Sequence, residues 1–158
     1  MQRYVLVLSL VPLMAGCNVH SKNPANDDEN VTINADQNGE VNFNLPFASG
    51  QVKLPEGVFN KGDFDIDGVK MMPGATMTGF NVNAADKGSL VTLAFKAPTA
   101  TPDAVRAYFV DQFKQKGVDA AVAGDTVSGK TKDGDPFTIK VTPAGQGSTG
   151  VINIQDND

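Results

Sequence analysis

Residues 124–131, GDTVSGKT, match a phosphate-binding sequence pattern at every position that the pattern specifies. In such sites glycines let backbone N–H groups approach the phosphates, a lysine (here Lys130) reaches the outer phosphates, and a hydroxyl (here Thr131) binds magnesium. The pattern requires a helix at its end, because the helix dipole stabilises phosphate. Residues 132–136, KDGDP, instead predict a turn followed by a strand. We therefore expect a hairpin here, without nucleotide.

A second segment, residues 63–68 with the sequence DFDIDG, matches the opening of an EF-hand calcium loop. Its oxygen ligands would be Asp63, Asp65 and Asp67. The loop also needs a closing bidentate glutamate, and Gly74 occupies that place. We therefore interpret the segment as a strand that points Phe64 and Ile66 inward and the aspartates outward. A weak cation site on the aspartate face remains open, although we predict no bound metal.

Other catalytic arrangements are restricted by composition. The counts of one cysteine and one histidine exclude Cys–His catalysis, zinc sites and an internal disulfide. His20 lies in a polar segment that fixes no neighbours, so we assign it no role. The 18 acidic residues leave a two-carboxylate hydrolase open, but no spacing selects a pair. The net charge of −5 argues against nucleic acid, whose binding proteins carry basic patches.

The elements that would position these residues are mostly short strands. Between residues 31 and 69, apolar and polar residues alternate, which predicts half-buried strands in a meander or stack. Asn and Asp side chains are expected on the open face of these strands. The turn at residues 73–74 is the predicted junction with a second region.

One amphipathic helix is predicted at about residues 102–116. Thr101 can cap it and proline suits its first turn, while Gly117 ends it. The helical spacing of three apolar residues predicts that they pack on the sheet: Val105, Phe109 and Phe113.

Further strands are predicted on both sides of the helix, over residues 77–83, 89–96, 118–123, 126–131, 136–142 and 150–155. This order predicts an α+β fold, in which a mainly antiparallel sheet carries the helix on one face. The short-strand region precedes that arrangement along the chain.

The amino terminus has the features of a secretory signal peptide. Arg3 gives a charged start, residues 4–14 are mainly apolar, and Ala15 and Gly16 are small. The apolar run is too short to span a bilayer, which needs about 20 residues.

The segment LMAGC, residues 13–17, resembles the lipobox of bacterial lipoproteins. The resemblance implies that the signal is removed before Cys17, the only cysteine. It also implies that Cys17 carries a diacylglycerol on sulfur and an acyl chain such as palmitate on its new amino terminus. Two or more acyl chains give a stable anchor. In this family, an Asp directly after the cysteine commonly retains the protein in the inner membrane. This chain has Asn18 at that position, which favours the periplasmic face of the outer membrane.

These observations predict a domain organisation and a function. Residues 1–16 form the signal peptide, 17–30 the acylated cysteine and a flexible tether, 31–72 the short-strand region and 73–158 the α+β domain. We expect a membrane-anchored cell-envelope lipoprotein that is not an enzyme and uses no cofactor. Its role would be to bind or support another envelope component, such as a protein. A hydrolase that cleaves envelope polymers with a pair of acids is the alternative.

Overall fold

A computed structural model of the protein describes residues 20–21, 31–45, 48–53, 64–85 and 88–156. Within these ranges the chain forms twelve strands and one helix. The strands before the helix are β1 (His20–Ser21), β2 (Val31–Asp36), β3 (Glu40–Leu45), β4 (Ala48–Lys53), β5 (Asp65–Ile66), β6 (Val69–Lys70), β7 (Thr76–Ala85) and β8 (Gly88–Ala97). The helix α1 (Pro102–Gln115) is followed by β9 (Ala120–Ala123), β10 (Thr126–Lys130), β11 (Pro136–Ala144) and β12 (Gly147–Asp156).

Ten of these strands form one antiparallel sheet, in the order β1-β4-β3-β2-β7-β8-β12-β11-β10-β9. The prediction of a mainly antiparallel sheet with one helix is therefore confirmed. β2 pairs with β7 and places Ile33 opposite Val82, so strands from before and after residues 72–73 belong to the same sheet. One sheet runs through both predicted regions.

Local sequence accounts for both ends of the helix. The Oγ1 of Thr101 accepts the N–H of Ala104 at 3.3 Å, and Asp103 lies at the positive end of the helix dipole. After the helix, Gly117 has a φ of 75°, a conformation that glycine adopts without strain. The observed helix ends one residue before the predicted boundary.

The hydrophobic core lies between the helix and the half of the sheet that contains β8 to β12. Val105, Phe109 and Phe113 are fully buried against the sheet, as predicted. The rings of Phe113 and Phe137 stack with 4.5 Å between their centroids. Gly129 makes room for this ring, since a Cβ at Gly129 would lie 2.6 Å from Cζ of Phe137.

The calcium-like segment forms a tight hairpin where we predicted a single strand. β5 and β6 pair across Asp67 and Gly68, whose φ angles are 53° and 82°. Positive φ at both central residues is typical of a type I′ hairpin turn, which Asp-Gly favours. Ile66 is buried as expected, but Asp67 belongs to the turn and not to an exposed strand face. Asp63 lies outside the described residues.

The predicted tether contains one described element. His20 and Ser21 form β1, which pairs with Ser49 and Ala48 at the edge of the sheet. Cys17 and the predicted signal peptide lie outside the described residues. The single helix in the described ranges is too short and too polar to cross a membrane.

Candidate functional site

The two faces of the sheet differ in chemistry. Side chains alternate between the faces along each strand, so Leu93 and Phe95 point toward the helix, whereas Thr92 and Ala94 point the other way. In the described part of the chain, the helix and the β5–β6 hairpin both pack on the Leu93 side. We call the opposite surface the open face.

One row of facing residues crosses eight strands on the open face, and all of its side chains are uncharged hydrogen-bonding groups. From β4 to β10 this polar row consists of Gln51, Asn42, Asn34, Asn81, Thr92, Asn153, Thr138 and Ser128. Neighbouring strands lie about 4.8 Å apart, so the seven intervals extend the row over about 34 Å. All eight residues are exposed or half-buried.

Hydrogen bonds between neighbours orient parts of the polar row. Nδ2 of Asn81 donates to Oδ1 of Asn34, and Oγ1 of Thr92 donates to Oδ1 of Asn153 at 2.9 Å. A side-chain amide has two N–H donors and a carbonyl oxygen with two lone pairs. Each of these bonds uses only part of that capacity, so the amides are held in place with donors and acceptors left for a ligand.

A groove with a volume of about 310 Å³ runs beside the centre of the row. Gly79 and Ala94 are paired across β7 and β8 and form its floor, while Asn34, Asn81 and Thr92 line its sides. The pairing of β7 with β8 is irregular just before Gly79, where one extra residue is inserted. Such bulges re-aim side chains and are common beside functional sites.

A second groove of about 390 Å³ extends toward the β4 edge. It shares Asn34 and Asn42 with the first groove and is also lined by Ser49 and Gln51. The two grooves adjoin at these shared residues and extend over β4, β3, β2, β7 and β8, and we call them together the polar groove. Its shape fits an elongated ligand lying on the sheet.

Two charged residues, Asp36 and Glu40, line the polar groove, and Lys53 is paired with Glu40 across β3 and β4. Oδ1 of Asp36 accepts the backbone N–H groups of Glu40 and Asn38, each at 2.9 Å. The N–H of Glu40 contributes most to holding the pKa of Asp36 below its ordinary value. Asp36 is therefore ionised at neutral pH, and the nearby Lys53 also lowers its pKa. The groove is best suited to a neutral ligand rich in hydroxyl or amide groups.

The phosphate-like segment forms the hairpin that the sequence predicted. Lys130 ends β10, and the N–H of Thr131 donates to the carbonyl of Asp135 at 2.8 Å across the turn into β11. No helix begins at this point, so the segment lacks the dipole that a phosphate site uses. Gly129, one of the pattern's glycines, instead accommodates the ring of Phe137.

Two of the aspartates considered for calcium make hydrogen bonds within the fold. Oδ1 of Asp65 accepts the N–H of Gly68 at 2.9 Å, and Oδ2 of Asp67 accepts the N–H of Lys132 at 2.8 Å. Across the described ranges, no group of three or more His, Cys, Asp and Glu side chains is arranged to hold a metal ion.

Comparison of the chain with known protein families, curated proteins and solved structures finds no match. Sequence analysis placed asparagines on the open face but did not single out Asn34 or Asn81. They are 47 positions apart, and only the pairing of β2 with β7 brings them together. The available signal was the recurrence of Asn at alternate positions in several strands.

Proposed function

We propose that the protein is a lipid-anchored envelope protein of the α+β class with a non-enzymatic binding role toward another envelope component. The LMAGC segment supports the anchor at Cys17, and Asn18 favours the outer membrane. The observation that carries the binding role is the polar row. Eight neutral donor and acceptor groups in register form a surface that can contact an extended ligand at many points.

The ligand that best fits this surface is an uncharged polymer with hydroxyl and acetamido groups, such as a glycan strand of the envelope. Each solvent-exposed hydrogen bond contributes only about 0.5–1.5 kcal/mol net, so a single sugar would bind weakly. A chain that meets several members of the row adds these contributions within one binding event.

Two glycan probes test this proposal on the full-length protein. A soluble N-acetylglucosamine oligomer is titrated while amide NMR shifts are followed, and cosedimentation with peptidoglycan sacculi is measured in parallel. The double variant Asn34→Ala/Asn81→Ala removes two amides from the groove, and we expect its affinity to fall by about tenfold or more. The matched control is Gln146→Ala, which removes an exposed amide from the turn between β11 and β12, outside the groove.

We expect saturable binding of at least one probe, with NMR shifts at residues around the groove. Only the double variant should lose this binding. Absence of binding to both probes, or equal binding by the double variant and the control, would contradict the glycan-binding role. Release of soluble fragments from the sacculi by the wild-type protein would instead support the hydrolase alternative.

A further inference from the structure

β9 is the outermost strand of the described sheet at the end opposite β1. On its inner side it pairs with β10, placing Ala121 opposite Ser128 and Val122 opposite Val127. An unpaired strand edge presents backbone N–H and C=O groups that can pair with another chain. The hydrogen bonds between β10 and β11 determine which residues of β9 direct these backbone groups away from the sheet.

The backbone groups of Ala120 and Val122 point away from the sheet. The N–H of Val141 donates to the carbonyl of Asp125 at 2.9 Å, which directs Asp125 toward β11. Hydrogen bonding alternates along antiparallel strands, so the backbones of Thr126 and Ser128 are directed toward β9. Their partners Ala123 and Ala121 therefore point inward, and the residues between them point outward.

The side chains of β9 permit close approach of another strand. The strand is AAVA, without the lysine, proline or bulge that commonly protects a sheet edge. Ala121 and Ala123 are exposed on the open face, and the Val122 side chain is 50% exposed on the helix side. An incoming strand would cover this apolar side chain.

We propose that β9 pairs with β9 of a second copy of this chain, antiparallel, with Ala121 on the two-fold axis. In this register Ala120 exchanges two hydrogen bonds with Val122 of the second copy, and Val122 exchanges two with Ala120. All four outward residues of the two strands are then used. The two Ala121 residues form a non-hydrogen-bonded pair, whose Cα atoms approach to about 4.5 Å, and alanine fits this narrow spacing.

The choice of a second copy rests on this self-complementarity. The outward residues are symmetric about Ala121, as an isologous two-fold contact requires. Asp119 faces Ala123 of the second copy and not another Asp119, so the register avoids a direct like-charge pair.

Pairing across a two-fold axis perpendicular to the sheet places both open faces on the same side. The two polar rows then continue one another across the paired Ala121 residues. If the rows bind a polymer as proposed above, one strand can contact both copies and gain avidity. The dimer itself does not depend on that function or on the acyl anchor.

Cysteine cross-linking tests the register in the full-length chain carrying Cys17→Ala. Ala121→Cys places thiols on the two-fold axis, within disulfide distance of each other. Ala123→Cys is the matched control on the same strand and face. Its two thiols would be offset by four residues, or about 13 Å, which exceeds the reach of a disulfide. We expect a cross-linked dimer under mild oxidation from the first variant only.

Sedimentation over a concentration series tests the pairing without cross-linking. Val122→Pro removes an outward N–H that β10 does not use, and proline is accepted at strand edges. We expect it to weaken dimerisation by at least about tenfold, whereas Val122→Thr, which keeps the N–H, leaves dimerisation in place. A chain that stays monomeric at all concentrations, or equal cross-linking at positions 121 and 123, would overturn the proposal.

Discussion

Asp67 and Lys132 are joined by a 2.8 Å hydrogen bond from the N–H of Lys132 to Oδ2 of Asp67, although 65 positions separate them. Asp67 belongs to the calcium-like segment, and Lys132 directly follows the phosphate-like segment. The calcium-like segment therefore contacts the turn that directly follows the phosphate-like segment. Asp65 and Asp67 accept backbone N–H groups at turns, and Gly129 makes room for the ring of Phe137, so these residues have structural roles in the fold.

The first prediction concerns Asp67. Asp67→Ala removes the acceptor of the Lys132 N–H and places alanine at a φ of 53°, which Asp and Asn adopt more readily. We expect the free energy of unfolding to fall by about 1–2 kcal/mol in urea denaturation. Asp67→Asn keeps an oxygen acceptor and tolerates this φ, so its free energy of unfolding should fall by less than half as much. Equal losses would contradict this role.

The second prediction separates packing from phosphate binding in the GDTVSGKT segment. A Cβ at Gly129 would lie 2.5 Å from the carbonyl oxygen of Asp119 and 2.6 Å from Cζ of Phe137. Gly129→Ala should therefore lower the free energy of unfolding by about 1–3 kcal/mol. The matched control Lys130→Ala alters an exposed side chain and should change it by less than about 0.5 kcal/mol.

Thermal unfolding with and without magnesium and ATP completes this test. We expect the same Tm in both conditions, because a ligand raises Tm only when it binds the folded state. A rise in Tm that Lys130→Ala abolishes would establish a nucleotide site at this hairpin.

The third prediction concerns the floor of the polar groove. A Cβ at Gly79 would lie 3.7 Å from the carbonyl oxygen of Ala35 and 3.8 Å from Cβ of Ala94, which are ordinary contact distances. Gly79→Ala should therefore leave the Tm nearly unchanged while it reduces the depth of the groove. We expect weaker binding of the N-acetylglucosamine oligomer in the NMR titration. Unchanged affinity would place the ligand elsewhere.

Local features of the sequence were sufficient to predict the helix but not the candidate site. The Thr101 cap, the apolar spacing and Gly117 all lie within the helix or beside it, so each could be recognised without tertiary information. The polar row depends on strand register between distant segments, and alternation within Asn34's strand cannot reveal that Asn81 faces it. The pairing of β2 with β7, on either side of residues 72–73, could not be predicted for the same reason.

The Asp67–Gly68 hairpin is a different case, because its signal was local. Asp-Gly is a favoured type I′ dipeptide, but the alternation of Phe64 and Ile66 with aspartates also matched one strand. The strands on either side of the turn have only two residues each, and their pairing is stabilised by packing of Ile66 and Val69 in the core. The sequence permits both a single strand and a hairpin. Burial of Ile66 and Val69 beneath the helix, which is distant in sequence, favours the hairpin.

The fourth prediction concerns acid stability. The Thr126 hydroxyl donates to Asp125 at 2.8 Å and, with Lys140 at 3.5 Å, holds the pKa of Asp125 below its ordinary 3.8. A carboxyl whose pKa is lower in the folded state stabilises the protein above pH 3.8, and this stabilisation is lost as the pH falls through the folded-state value.

Asp125→Asn should therefore be less stable than wild type at neutral pH, and the difference should disappear in acid below that value. Urea unfolding at several pH values measures this difference in stability. Asp133→Asn, in the exposed turn between β10 and β11, serves as the control. A difference between Asp125→Asn and wild type that persists unchanged in acid would show that the ionised carboxylate is not responsible.

The measurement that tests membrane anchoring most directly is the intact mass of the protein extracted from its native membranes, compared with a Cys17→Ala variant. The account predicts a chain that begins at Cys17 and carries the added mass of acyl groups, whereas the variant carries none. A wild-type chain that is uncleaved, unmodified or cut at another position would contradict the lipoprotein assignment.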